Sequence, residues 1–584
     1  STPQLLASHP IDYLVYDYLA EITMSIMARA RAAKPEMGYA VDFVKAVVKP
    51  NLTTIADRGV KIISNAGGVN PRACAAQIRE LIRAAGLHLK VAVVEGDDLL
   101  DRYAEWAQHD ITEMFSRAPL PPQESMASMN AYLGAFPIAA ALDAGADIVI
   151  TGRVVDSAVT LGACIHEFGW TPHDLDALAG ASLAGHILEC GPQATGGNFT
   201  DWEMVADSMH NIGYPIAEVC ADGTFTCTKP SNTGGQVSVG TVSEQMLYEI
   251  GDPQAYILPD VICDFSNVRL EQIDVDRVHV SGAHGRPPPD TYKVSATYAD
   301  GFRGGQLLYF YGFDADKKAK AFANAVMRRT EGMLQHLRLP SMTETSVEIF
   351  GDESHYGAAK KTNGAREVTL KLAAKHPTEQ GIGVLLKETI GLGLSGPPGL
   401  TLFAGSRPRP SPVVRLFSFL LPKTAVSVRI DIDGEAIPSD HHLGHYLDDR
   451  PPITAEPPKR PAPPDAPAPQ ALNASVPLVR LAWGRSGDKG DKANIGIIAR
   501  RPEYLPYIWA ALTEAVVRDR FAHFIRGGVE RFLMPGSSAI NFLLHDILGG
   551  GGVASLRNDP QGKGYAQILL DHEIPVPITL AEKL

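Results

Sequence analysis

The sequence is short of several things that would assign it a class at once. It has only six cysteines in 584 residues (Cys74, Cys164, Cys190, Cys220, Cys227 and Cys263), dispersed and without a CxxC pair. That excludes a disulfide scaffold and fits reduced thiols in a cytosolic setting. No uninterrupted apolar run approaches the roughly 18 residues of a membrane helix, and no signal-peptide pattern opens the chain. A soluble cytoplasmic protein, without membrane partners, is therefore expected. Basic charge is also scarce: 53 Lys and Arg stand against 66 Asp and Glu, a formal net charge of −13. A sequence-independent nucleic-acid binder needs a basic face, so that class is set aside. Local basic loops can still take a small anion. Neither GxGxxG nor a Walker loop occurs, and HExxH, GxSxG and EF-hand patterns are likewise missing. No metal ligand set and no cofactor is indicated.

What is present is ordinary globular composition, 45% hydrophobic and 20% charged, in a chain too long for one core. Residues 451–472 are dominated by Pro and Ala ("PPITAEPPKRPAPPDAPAPQ" fills most of the stretch), a composition suited to an extended linker. A large domain over 1–450 and a small one over 473–584 are expected on either side.

The first 170 residues read as strand, loop and helix in repetition. "IDYLVYD", "VKIISNAGG", "KVAVVEGDD" and "ADIVITGR" are near-continuous apolar strands, each followed by a helical pattern. After the second strand Asn70 suits an N-cap, Pro71 the first helical position and Gly86 the stop. This predicts an α/β fold with a mainly parallel sheet covered by helices, continued by an α+β extension to about 440. In that extension "TVSEQMLYEIGDP" predicts a short helix with a Thr241–Glu244 capping box. The small domain reads as strand, charged loop, strand, helix (503–519), strand (529–534), helix (538–548) and strand (564–570), an α+β unit.

Parallel sheets bind ligands beyond the carboxyl ends of their strands. Asp17, Glu95, Asp97 and Arg153 fall at those ends and are candidate catalytic groups. Asn65, Gly67, Gly68 and Asn70 ("NAGGVN") precede a helix start, whose free N–H groups suit a phosphate or carboxylate; a plain glycine turn explains them equally. In "TGRVVDSAVTLG" Arg153 offers a bidentate anion clamp with Asp156 and Ser157 beside it; the alternative is a surface ion pair. "ECGPQATGGNFTDW" offers Gly196, Gly197 and Asn198 as pocket wall. Cys190 there would need a base, and His186 is the one nearby. Lys229, His284, Arg286, Tyr292 and Lys293 are single polar groups beside glycines, able to meet an anion or simply solvated.

"RSGDKGDKANIG" (485–496) interrupts two apolar segments with two Asp-Lys pairs separated by glycine. Lys489 is suited to pairing with a carboxylate or phosphate, and Asp488 to general acid–base work if burial raises its pKa. A structural ion-pair turn is the alternative. These two join the candidate catalytic residues.

Taken together, "SNAGGVNPRACA", "VEGDDLL", "TGRVVDSAVTLG", "ECGPQATGGNFTDW", "NTGGQVSVGTVSEQMLYEIGDP", "GAHGRPPPDTYKVSATYADG" and "LAWGRSGDKGDKANIGIIAR" resemble the acyclic terpene utilisation (AtuA-type) family in order and along nearly the whole chain. The resemblance implies a ferredoxin-like small domain and a role in the breakdown of citronellol, geraniol and related branched acids as coenzyme A thioesters. Chains of that family begin with one more strand and a Gly-rich turn, so a first strand is expected to be missing here. The combined expectation is an enzyme acting on an acyl-CoA or related anionic carboxylate by proton transfer, a hydratase or dehydratase. A thioester, ester or lactone hydrolase and a non-catalytic partner of an acyl-CoA carboxylase are the alternatives. A homo-oligomer, dimeric or of higher even number, is expected.

Overall fold

The computed structural model describes residues 1–8, 10–403, 408–437, 457–469 and 472–584. The boundary expected at 450 and the linker residues 451–456 and 470–471 lie outside these; 457–468 carry no regular secondary structure.

The strands β1 (Tyr13–Tyr16), β2 (Lys61–Ser64), β3 (Val91–Glu95) and, after β4 (Met126–Ala131) in another sheet, β5 (Ile148–Thr151) form where the apolar runs lie. They pair in parallel in the order β1-β2-β5-β3. Successive side chains of a strand point to opposite faces, and here both faces are covered. Ile63, Ala92, Val94 and Val149 enter one apolar cluster, while Ile62, Val91, Val93, Ile148 and Ile150 enter another. Helix Pro71–Ala84 covers the second face through Cys74, Ala75, Ile78 and Ile82. Its start is as expected: Asn70 accepts from Ala73 N at 3.3 Å, and Pro71 occupies the first turn.

The mainly parallel description holds for these four strands and not beyond them. Arg429–Ile432 joins β3 antiparallel, with Glu435–Ile437 at the edge. The rest of the large domain has several sheets of antiparallel pairing, the largest built around the 21-residue strand Thr291–Tyr311, which pairs with β4, Glu367–His376 and Ser411–Pro422. One-sided burial is the physical reason. Leu308 and Phe310 are buried while Leu307 and Tyr311 are exposed, the alternation an antiparallel sheet permits.

The small domain has a four-stranded antiparallel sheet ordered Ala482–Lys489, Lys492–Ala499, Ala539–Leu544, Val529–Met534. Ile495, Ile497, Ile540 and Phe542 face its own core, under helices Leu505–Ala511, Glu514–Arg520 and Tyr565–Leu570. The opposite face packs on the large domain. Gly496 lies against Leu247, where a Cβ would come within 2.5 Å of the leucine. Asn494 donates to Leu247 O at 2.6 Å and to Asn541 Oδ1 at 3.0 Å; Asn541 donates to Ile250 O and Gly251 O at 2.9 and 2.7 Å. These amides take up the Leu247 carbonyl at the end of helix Val239–Leu247 and two carbonyls just beyond it, and Asn494 Oδ1 accepts from Glu249 N at 2.9 Å, which fixes the chain at Glu249. That helix starts three residues before the expected cap, at Ser238, whose hydroxyl accepts from Thr241 N at 3.2 Å.

Candidate functional site

The charged stretch 485–496 is not a loop. It is a β-hairpin whose strands run to Lys489 and from Lys492, joined by Gly490 and Asp491. Gly490 has φ +67° at the first turn position, where a two-residue hairpin turn favours glycine. The second Asp-Lys pair is structural: Asp491 accepts from Leu548, Gly550 and Gly551 N at 3.1, 2.9 and 3.2 Å. Asp488 and Lys489 lie on the end that enters the large domain.

The hairpin is held there by the segment 191–201. Arg485 donates to Gly197 O at 3.3 Å and Asn198 O at 2.7 Å. Arg500 grips Asp201 in a two-pronged pair at 2.6 and 2.5 Å, and Trp483 Nε1 donates to the same carboxylate at 2.8 Å. Gly196, Gly197 and Asn198 thus belong to the docking seam between the domains. Asn198 takes φ +56° there.

The "NAGGVN" turn is packed rather than open. Gly67 abuts the Thr151 carbonyl and Pro71, and Gly68 (φ +56°) abuts Met27. Asn70 is occupied by its cap and by Pro35 O and Met37 O. These glycines place β2 and β5 ends close together, at one rim with Arg153. Asn65 serves the same rim: it donates to Asp17 and accepts from Tyr18 N at 2.7 Å. Asp97 is buried, accepting from Arg153 N and Asn130 Nδ2, both at 2.8 Å; burial pushes it up to about 7. It ties the turns together. Glu95 points elsewhere, in a two-pronged pair with Arg72 at 2.6 and 2.7 Å. Ser157 is buried against Gly185.

Asp17, Arg153 and Asp156 do converge, and groups no motif announces join them. Arg153, 3% exposed, donates to Asp156 at 2.8 Å and Leu19 O at 3.0 Å, its guanidinium 4.2 Å from the Tyr132 ring centre. Lys293 lies 4.9 Å from the same ring. Tyr132 OH donates to Glu21 at 3.0 Å. Burial opposes the Glu21 charge, yet Lys293 and Arg153 outweigh it and hold the carboxyl at about 2. Lys489 enters opposite, 5.8 Å from the Tyr256 ring centre. Burial works against its charge; Tyr256, Glu249, Asp156 and Glu189 prevail and raise its pKa. The residue keeps accessible surface. Burial, with Asp156 next, raises Asp17 well above the carboxylate range.

Asp488 and Glu249 stand where this recess meets a cavity of about 980 Å³, which Glu21, Gly490 and Gln561 also border. Burial first, and then Glu21, push Asp488 up to about 6. Burial raises Glu249 further against the pull of Lys489, with Asp488 adding to the rise. Such neighbours do not ionise together readily. The cavity walls mix cations (Arg303, Lys371, Arg409) with apolar Ile22, Leu307 and Phe403. Burial and then Glu189 push the Cys190 thiol above its ordinary range, which disfavours the thiolate a nucleophile needs. His186 is buried with Nδ1 3.0 Å from Glu189 and faces Tyr256. Among the described residues no group of three or more His, Cys, Asp or Glu could hold a metal ion, and no helix is long and apolar enough to cross a membrane.

Sequence reasoning missed Glu21, Tyr132, Glu249 and Tyr256, which sit in no recognisable pattern; for Lys293 only a neighbouring glycine run hinted at a role. No curated protein and no solved structure matches the chain significantly. The family model "Acyclic terpene utilisation family protein AtuA" matches residues 1–432, and "AtuA ferredoxin-like domain" matches 476–575. With nearly three quarters of its length in the first match and the ferredoxin-like domain following in order, the chain belongs to the acyclic terpene utilisation family AtuA.

Proposed function

We propose that the protein is an enzyme of acyclic terpenoid acid catabolism that adds water to, or removes it from, a branched acyl thioester. The observation that carries this reading is the pair of unlike carboxyls at the cavity end. Burial pushes Asp488 up to about 6, and it raises Glu249 well above the carboxylate range against the pull of Lys489. Two acids driven apart by their surroundings define a base and an acid. In the dehydration direction Asp488 takes the proton beside the carbonyl. Lys489 and Arg153 stabilise the negative charge that develops on the carbonyl oxygen, and Glu249 protonates the departing hydroxyl. Hydration reverses these steps.

A coenzyme A thioester suits the cavity, whose 980 Å³ exceeds what a small carboxylate fills and whose walls offer both cations and apolar surface. The reading does not call on a cofactor. An even-numbered homo-oligomer is proposed as the working form, to be tested by light scattering. The test of function is a panel of branched enoyl-CoA, hydroxyacyl-CoA and acyl-CoA thioesters followed by mass spectrometry. Gain or loss of one water, abolished in Asp488→Asn, is expected. Release of free acid would replace this reading with a hydrolase, and no turnover across the panel would overturn it.

A further inference from the structure

Most inward lysines of this protein are neutralised at close range. Lys375 pairs with Glu344 at 2.5 Å, Lys371 with Glu348 at 2.8 Å and Lys229 with Asp276 at 3.1 Å. Lys293 is different. Among the described residues its Nζ has no hydrogen bond and no carboxylate within 4.0 Å, although it is only partly accessible. Its neighbours are the Tyr132 ring, the carboxylate of Glu21 beyond 4.0 Å, and the cations Lys489 and Arg153, with Asp156 further away. Its backbone is fixed in mid-sheet, paired with Leu420 and bonded to Tyr132 N at 2.9 Å. A lysine kept from water beside other cations on a rigid strand is the arrangement that makes an amine nucleophilic.

We propose that Lys293 condenses with the carbonyl carbon of a ketone or aldehyde admitted to the recess, forming an imine on Nζ. The nitrogen lone pair attacks the carbonyl carbon. Both carbon–oxygen bonds are lost in turn, and the oxygen leaves as water carrying the two amine hydrogens. No oxidant or reductant is needed. Glu21 borders the cavity and accepts from Tyr132 OH; held as a carboxylate, it is placed as the base that takes the proton Lys293 must lose before attack, and that proton returns as the carbinolamine oxygen leaves. Electrostatics agree with the geometry. Burial lowers the Lys293 pKa; Glu21 opposes this, Lys489 and Arg153 add to it, and Asp156 opposes. The chemistry is independent of the hydration reading, since it uses a different group and a different electrophile.

The test is to incubate the full-length protein with acetoacetate, add sodium borohydride and map modified lysines by peptide mass spectrometry. The expected product carries the probe less one oxygen as water plus two hydrogens, at Lys293 at least tenfold above any other lysine. Lys293→Arg, which keeps the positive charge beside Glu21, is expected to lose that label while melting like the parent. Lys489→Gln removes a repelling cation, so labelling of Lys293 at pH 7 should fall severalfold and return at higher pH. Label spread evenly over surface lysines, label centred on Lys489, or labelling of Lys293 indifferent to Lys489→Gln would each overturn the proposal.

Discussion

Replacing Asp488 by asparagine removes a carboxylate that the folded protein holds at a cost. The acid moves from its ordinary 3.8 to about 6 on folding, chiefly through burial. The folded state therefore binds its proton more tightly than the unfolded chain does. Below about pH 4 the group is protonated in both states and contributes little. As pH rises from 3.8 to 6 the unfolded chain ionises first, and stability is lost. Above about 6 the loss is complete. Two pKa units amount to about 3 kcal/mol, or roughly 1–3 kcal/mol once the partial exposure of the side chain is allowed for. Asp488→Asn keeps the shape and the Gln561 contact, and it also relieves Glu249, which Asp488 helps to raise. The variant should thus melt above the parent at pH 8, with the gain shrinking as pH falls toward 4. Its kcat/KM should drop roughly 10²-fold or more, the scale of a lost acid–base group. Denaturation midpoints from pH 4 to 8, paired with turnover on the same samples, test both parts. A variant equally stable or weaker at pH 8, with activity intact, would mean Asp488 is an ordinary solvated turn residue and the reasoning fails.

Arg500→Ala removes the two-pronged grip on Asp201, and about 1–2 kcal/mol of docking should go with a partly buried charged pair; faster hydrogen exchange in residues 191–201 together with lower activity would show it, and unchanged exchange would refute it. Gly67→Ala forces a Cβ into the Thr151 carbonyl and should destabilise by about 2 kcal/mol or more, read from the denaturant midpoint. Cys190→Ser should leave turnover within a few-fold, because a buried thiol held in its neutral form does no nucleophilic work; abolished turnover would restore it as a nucleophile.

The parallel strands were legible because β-branched apolar runs, bounded by Gly and Asn, have one reading when covered on both faces. Asn70 and Pro71 were legible because capping is local chemistry. The small domain was misread at 538–548 and 564–570, where "AINFLL" is a strand and "YAQILL" a helix. Six-residue apolar runs carry no period that separates the two, and position in the sheet decides. The region expected as one helix over 503–519 is two, Leu505–Ala511 and Glu514–Arg520, with Thr513 capping the second. At the site, Asp488, Lys489, Asp17, Arg153 and Asp156 could be singled out from loops rich in charge and glycine. Glu21, on a helix start, could not, and Lys293 could be named only as one of several polar groups beside glycines, because the pairing of Lys293 O with Tyr132 N and the stacking on Tyr132 bring them together. The glycines of "NAGGVN" misled for the converse reason: the same residue type that lets a ligand approach also lets Met27 and the Thr151 carbonyl approach.

The hairpin that closes the recess has an electrical consequence for the protein as a whole. Without the small domain, the large-domain side of the recess presents Glu21, Asp156 and Glu189, with Asp17 and Glu249 raised toward neutrality, against Arg153 and Lys293. Such a mouth repels the carboxylates and thioester anions it would have to admit. Lys489 arrives on a strand rigidly continuous with the Arg485 and Trp483 anchors, so neutralisation and docking are one event. The small domain is in this sense a counterion with a fold of its own, and the sign of the potential met by an incoming anion is set by whether it is seated.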